Sequence, residues 1–182
     1  MSLKENSVKN RAENRVEILR DFIDELIKNK VRGEFYFIER HMFAVSNFAA
    51  MLAMKRGLDL EIALIIGLLH DVQTLMTDDP ENHAELGSLR ARGILYDLKI
   101  VSDTELEIIC TAIKNHSSKD IVHDKYSELA KDADVLNHYF VNPTLSLYTE
   151  RGNERLERLI AELGLDAPYI ESADTNIEED KL

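Results

Sequence analysis

At 182 residues and 45% apolar content, the chain is long enough for one globular domain with a substantial core. Its formal net charge of -12 excludes a general nucleic-acid-binding surface, which needs a basic stripe to displace counterions. A single cysteine, Cys110, excludes an internal disulfide, and the longest apolar run, Ile62 to Leu69, falls far short of the roughly 20 residues that cross a bilayer.

No basic segment followed by an apolar stretch opens the chain, so the expected compartment is the cytoplasm, with no membrane partner. Seven glycines and three prolines leave little material for turns, which favours long helices. A first helix is expected over 8–30, where Val16, Leu19, Phe22, Ile23, Leu26 and Ile27 recur at helical spacing and Arg32-Gly33 ends the run. A second covers 34–56, carries His41, and stops at Gly57. Its Met and aromatic residues between 35 and 54 are read as core. Asp59 can cap a third, 60–70, apolar on nearly every side and therefore central and buried.

The stretch 74–82 reads as a loop, with Asp78-Asp79-Pro80 as its turn signal. A fourth helix is expected over 83–96. Ser102 and Glu105 have capping-box spacing and should open a fifth that reaches His116 and bears Cys110 on its apolar face. After a polar loop, a sixth helix spans 125–140, and Asn142-Pro143 begins a seventh that runs, bent near Gly152, to Leu163-Gly164. The fold class is all-α: a single-domain bundle of six to seven helices. Residues 1–33 form an N-terminal helix packed on a domain spanning 34–168, and the acidic segment 169–182 is expected to be disordered.

Four of the six histidines, His41, His70, His83 and His116, fall inside or at the end of expected helices. Any one alone reads as a core histidine bonded to backbone. The pair His70-Asp71 changes that reading, because an ionised Asp at the end of the most apolar helix is costly to bury without a partner or a cation. A histidine 29 positions earlier and the stretch Lys131-Asp132-Ala133-Asp134-Val135-Leu136 downstream complete a set of imidazoles and carboxylates.

This constellation, His41, His70-Asp71 and Asp134, resembles the HD superfamily of metal-dependent phosphohydrolases, whose signature is His…His-Asp…Asp on a helical domain. The resemblance covers roughly 35–140. It implies that these four residues hold a divalent metal, with His70 and Asp71 catalytic. His83-Ala84-Glu85-Leu86-Gly87 and Ile113-Lys114-Asn115-His116-Ser117 look like the two further elements that, in a subset of the family, hold a second ion. One ion or two thus remain open. Mixed imidazole and carboxylate ligation suits Mn, Fe, Zn, Co or Ni, with Mg also in the family's range.

Where many members continue the His-Asp pair with Gly and Lys, this sequence has Val72-Gln73. Lys114, Arg90, Arg92 and Arg40 are the basic residues that could bind a phosphate in place of that Lys, each otherwise a solvated surface charge. Glu81, in the loop after the pair, is a further candidate for substrate contact, ahead of Asp78 and Asp79. His123 is expected to be exposed; His138, one helical turn after Asp134, is expected to pack beside Tyr139 and Phe140, with support of the Asp134 ligand as the alternative. The expected activity is hydrolysis of a small phosphate ester or anhydride, a nucleotide foremost, by a metal-activated water. The resemblance also admits a mixed-valent di-iron oxygenase of the inositol oxygenase type, or a degenerate binding or regulatory domain. Composition leaves oligomeric state open, a homo-oligomer included.

Overall fold

A computed structural model describes residues 15–28, 36–77, 82–141 and 150–166. The described residues form eight helices and no strand. In chain order these are α1 (Arg15–Lys28), α2 (Tyr36–Arg56), α3 (Leu60–Leu69), α4 (Val72–Thr77), α5 (His83–Leu98), α6 (Asp103–Asn115), α7 (Lys125–Val141) and α8 (Glu150–Leu163). The expected acidic tail, the start of the first helix and residues 142–149 lie outside the described residues.

The centre of the bundle is α3, which packs on α1, α2, α6 and α7. Seven of its ten residues are buried, and Ile65, Ile66, Leu68 and Leu69 are fully so. By length and composition alone, the stretch Leu60–Thr77 could cross a membrane, but most of it is buried inside the bundle and the helix breaks at His70-Asp71. Asp59 caps α3, its side chain accepting from the Ile62 amide at 2.9 Å. Gly57, at φ 63°, ends α2 in the left-handed region where glycine carries no Cβ penalty.

The α2–α3 crossing is unusually close. A Cβ at Gly67 would lie 2.3 Å from the Ser46 Cα, so only hydrogen fits. Ser46 Oγ donates to the Leu64 carbonyl at 2.9 Å across the same contact. On α1, Leu19 and Ile23 are fully buried, and Arg15 pairs with Glu61 at 2.6 Å and Glu105 at 2.7 Å. The expected capping box opens α6, with the Ser102 amide donating to Glu105 Oε2 at 2.7 Å.

Three expectations need correction. Residues 74–77 belong to α4 and not to a loop, because Val72, Gln73 and Leu75 turn inward and bury against the bundle. Not every large apolar residue between 35 and 54 is core: Phe37 and Met54 are about 70% and 75% exposed. His123 is not a solvated loop residue, since its Nδ1 stands 2.7 Å from the ammonium of Lys131. That lysine is fully buried, and its three donors are met by His123, the Ile121 carbonyl and Glu128, each at 2.7 Å.

Candidate metal centre

Helices α2, α5, α6 and α7, together with the α3–α4 junction, deliver the site. His41 comes from α2, His70 and Asp71 from the break between α3 and α4, His83 from the first position of α5, His116 from the C-terminal cap of α6 and Asp134 from the middle of α7. His41 Nε2 lies 3.0 Å from His70 Nε2, 3.4 Å from Asp71 Oδ2 and 3.3 Å from Asp134 Oδ1. On the other side of Asp71, Oδ1 lies 3.6 Å from His83 Nε2 and 3.5 Å from His116 Nε2, which are 3.3 Å from each other. One carboxylate therefore faces two groups of ligands.

These spacings fit metal coordination better than hydrogen bonding. Ligands at ~2.0–2.2 Å from one ion stand about 3.0–3.5 Å apart in tetrahedral or octahedral geometry. Two carboxylate oxygens at the heart of the site, Asp71 Oδ1 and Asp134 Oδ1, are buried with no hydrogen-bond donor among the described residues. An orphaned buried carboxylate oxygen is costly unless a cation meets it. The donor set, imidazoles with carboxylates, fits a divalent transition metal, and Asp71 fits a bridge between two.

The imidazoles are pre-set for this task. His70 Nδ1 donates to the Gly67 carbonyl at 2.8 Å, and His116 Nδ1 donates to the Ile113 carbonyl at 2.7 Å. Each bond places the ring proton on Nδ1 and leaves the Nε2 lone pair facing the centre. The Asn137 amide holds His41 from behind, its Nδ2 2.6 Å from His41 Nδ1.

Electrostatics follow from this crowding. Burial alone would raise the Asp71 pKa, but His70, His116 and His41 hold its carboxyl well below the usual carboxylate range. Asp134 is also driven far down despite burial, first by the Lys119 ammonium and then by His138 and His41. Burial resists a charge on His41, yet Asp134 and Asp71 outweigh it and raise its pKa to about 9. His70, fully buried, is lowered to about 4, desolvation dominating over the pull of Asp71. In the metal-free chain His41 thus carries the proton shared among the carboxylates, and an ion would replace it.

A cavity of about 440 Å3 opens onto the centre. His41, Asp71, His83, His116 and Asp134 line its floor, and Phe37, Ile38 and Val135 form an apolar wall. Two further lining residues complete the site: His138, for which support of Asp134 is the alternative reading of the sequence, and Lys119, which that reading does not single out. His138 packs against His41, ring centroids 5.2 Å apart, and its Nε2 is 3.3 Å from Asp134 Oδ1, so it belongs to the site and not only to the packing beside Tyr139 and Phe140. Lys119 donates to Asp134 Oδ2 at 2.6 Å. Its polar surroundings, Ser117-Ser118-Lys119-Asp120, read as loop from sequence, and its position three after His116 is the signal that links it to the site.

The basic residues singled out from sequence sit elsewhere. Lys114 is more than half exposed, pairs with Glu85 at 3.3 Å, and lines a separate shallow pocket beside His83. Arg90 bonds to Gln73 and reaches Met76. Arg92 forms a surface pair with Glu107, and Arg40 is exposed on α2. Val72 and Gln73 are buried. Glu81, Asp78 and Asp79 lie outside the described residues.

The HD domain family matches residues 38–138, more than half of the chain. The chain belongs to the HD domain family. The match begins three residues before His41 and ends on His138, so it encloses the whole cluster. The HD fold is also shared with a solved structure, described as a predicted HD superfamily hydrolase from an uncultured Thermotogales bacterium. That protein is 21% identical, with a TM-score of 0.53 over 81% of this chain and 88% of the other. No curated protein matches this HD chain significantly in sequence.

Proposed function

We propose that this HD domain is a metal-dependent phosphohydrolase that cleaves a small phosphate ester or anhydride, with a nucleotide as the leading substrate class. The observation that carries the reading is the two-sided Asp71: one oxygen faces His41 and His70, and the other faces His83 and His116. Such an arrangement suits two divalent ions sharing a bridging carboxylate. When bound, they would supply a water deprotonated near neutral pH and positive charge for a phosphoryl oxygen.

The chain's own residues do the rest. Asp71 would orient a water between the two histidine groups, and His41, His70, His83, His116 and Asp134 would hold the ions that meet the phosphoryl group. Attack forms the new P–O bond as the bond to the leaving group breaks, and the leaving oxygen takes up a proton from solvent. The apolar wall of Phe37, Ile38 and Val135 receives the organic part of the substrate and keeps bulk water from that side.

The same six-ligand set suits a mixed-valent di-iron oxygenase, which is the second reading. Elemental analysis of the purified protein, followed by a phosphate-release screen over nucleotides and other esters with each divalent metal, tests the first. Phosphate release that needs metal and vanishes in Asp71→Ala supports it. Two irons per chain, oxygen uptake, a mixed-valent paramagnetic signal and no phosphate release would replace it with the second.

A further inference from the structure

We propose that Lys119 is the residue that anchors the substrate's phosphoryl group, donating to a non-bridging oxygen while it holds Asp134. The inference rests on the phosphohydrolase reading above and deepens it by assigning the anion contact.

Lys119 is the only Lys or Arg that lines the metal-site cavity among the described residues. The charged lining is otherwise the carboxylates of Asp71, Asp120 and Asp134, so a phosphate entering the cavity would rely on bound ions and this ammonium for positive charge. The ammonium is well placed to serve. It donates to Asp134 Oδ2 at 2.6 Å and to the His116 carbonyl at 3.1 Å, so two residues of the metal cluster fix its position. Asp134's other oxygen lies 3.3 Å from His41 Nε2, which puts the ammonium one carboxylate's width from the ligand atoms.

Donor counting separates Lys119 from a purely structural lysine. An ammonium has three N–H donors. Lys131, buried nearby on α7, spends all three on protein acceptors. Among the described residues Lys119 spends two, and its side chain is about 25% exposed. A third donor is thereby left for a phosphoryl oxygen that enters the cavity. A charge-assisted bond of this kind, made in a partly dry cavity, is worth about 10- to 100-fold in affinity.

The alternative is that Lys119 only steadies Asp134, and metal content discriminates the two roles. Lys119→Met, Lys119→Gln and Lys119→Arg are compared with the wild type after metal loading, with helicity checked by circular dichroism. Metal per chain is read by elemental analysis, and the affinity of inorganic phosphate by calorimetry. We expect unchanged metal content in all three, phosphate binding weaker by about 10- to 100-fold in the Met and Gln variants, and most of that loss recovered in the Arg variant. Wild-type phosphate affinity in the Met and Gln variants would overturn the proposal, and so would loss of metal in both. A wild-type protein that binds phosphate through Lys119 yet hydrolyses no ester would sink the phosphohydrolase reading and leave this contact standing. Hydrolysis with unaltered phosphate affinity in the variants would do the reverse.

Discussion

The carbonyl of Gly67 accepts a 2.8 Å hydrogen bond from His70 Nδ1 at the very turn of α3 that lies flush against Ser46 on α2. The close helix crossing and the aim of a candidate ligand are therefore one feature. Any side chain at position 67 must push α3 off α2, and the carbonyl that orients His70 would move with it.

Gly67→Ala should accordingly cost about 1–3 kcal/mol of stability through overpacking, outweighing the alanine's better helix propensity. It should also weaken metal binding, although no ligand is altered. Thermal unfolding with and without metal reads both effects. A stabilised variant with wild-type metal affinity would show that the crossing yields easily.

Metal stoichiometry tests the division of the cluster by Asp71. His116→Ala and His83→Ala should each lower the metal content from two ions per chain to about one, whereas Asp71→Ala and His70→Ala should deplete both and abolish phosphate release, with helicity retained. Chelation should lower the wild-type melting temperature, because ions held only by the folded chain stabilise it by mass action. An unchanged metal count in His116→Ala would make that histidine structural.

The cluster was legible in the sequence because histidines and an aspartate in apolar helices have few explanations other than a shared cation. His70 and Asp71 end the most buried helix, and Asp134 sits among Ala133, Val135 and Leu136, all buried. The same rule of apolar periodicity found most of the bundle. It missed α4, a single short helix of six residues, because so brief a run shows no period and is held by the burial of Val72 and Leu75.

Lys119 and the pairing of His123 with Lys131 were hidden for a different reason. Their roles depend on what other helices bring near them, and a Ser-Ser-Lys-Asp stretch reads as solvated loop whichever way it faces. The misreading of Phe37 and Met54 has a related cause. An apolar residue on a helix signals a buried stripe only on average, and α2 has apolar residues around more of its circumference than the bundle covers.

His138 supports Asp134 from one helical turn away, at 3.3 Å, and braces the His41 ring. His138→Ala should lower the affinity of the ion nearest His41 and Asp134 by about 10- to 100-fold, as expected for groups that orient ligands. Competition with a chromophoric chelator measures it. The ion between His83 and His116 should be retained, since His138 lies on the opposite side of Asp71 from that pair. Equal weakening of both ions would contradict this placement.

Acid should weaken the fold through a charged seam that joins α2, α7 and α8. Arg56 binds Glu162 at 2.8 Å and Asp132 at 2.7 Å, while Arg155 binds Glu128 at 2.9 Å and also reaches Asp132. Arg56 is the main cause that holds the Glu162 carboxyl below its ordinary value. Burial works to raise Glu128, but Lys131, the His123 amide and Arg155 overcome it and lower it. Carboxyls with a depressed folded pKa contribute stability that is fully present above their ordinary value of 4.5 and is lost as pH falls through the folded value. Stability should therefore hold from neutrality down to about pH 5 and decline below it. Arg56→Met should cost about 1–2 kcal/mol at pH 7, a modest figure because Glu162 is partly exposed, and the gap to wild type should narrow on acidification. Urea unfolding at pH 7 and pH 3.5 measures the gap. A difference that stays constant between the two would mean that Arg56 stabilises the seam by packing its alkyl stem and not by its charge.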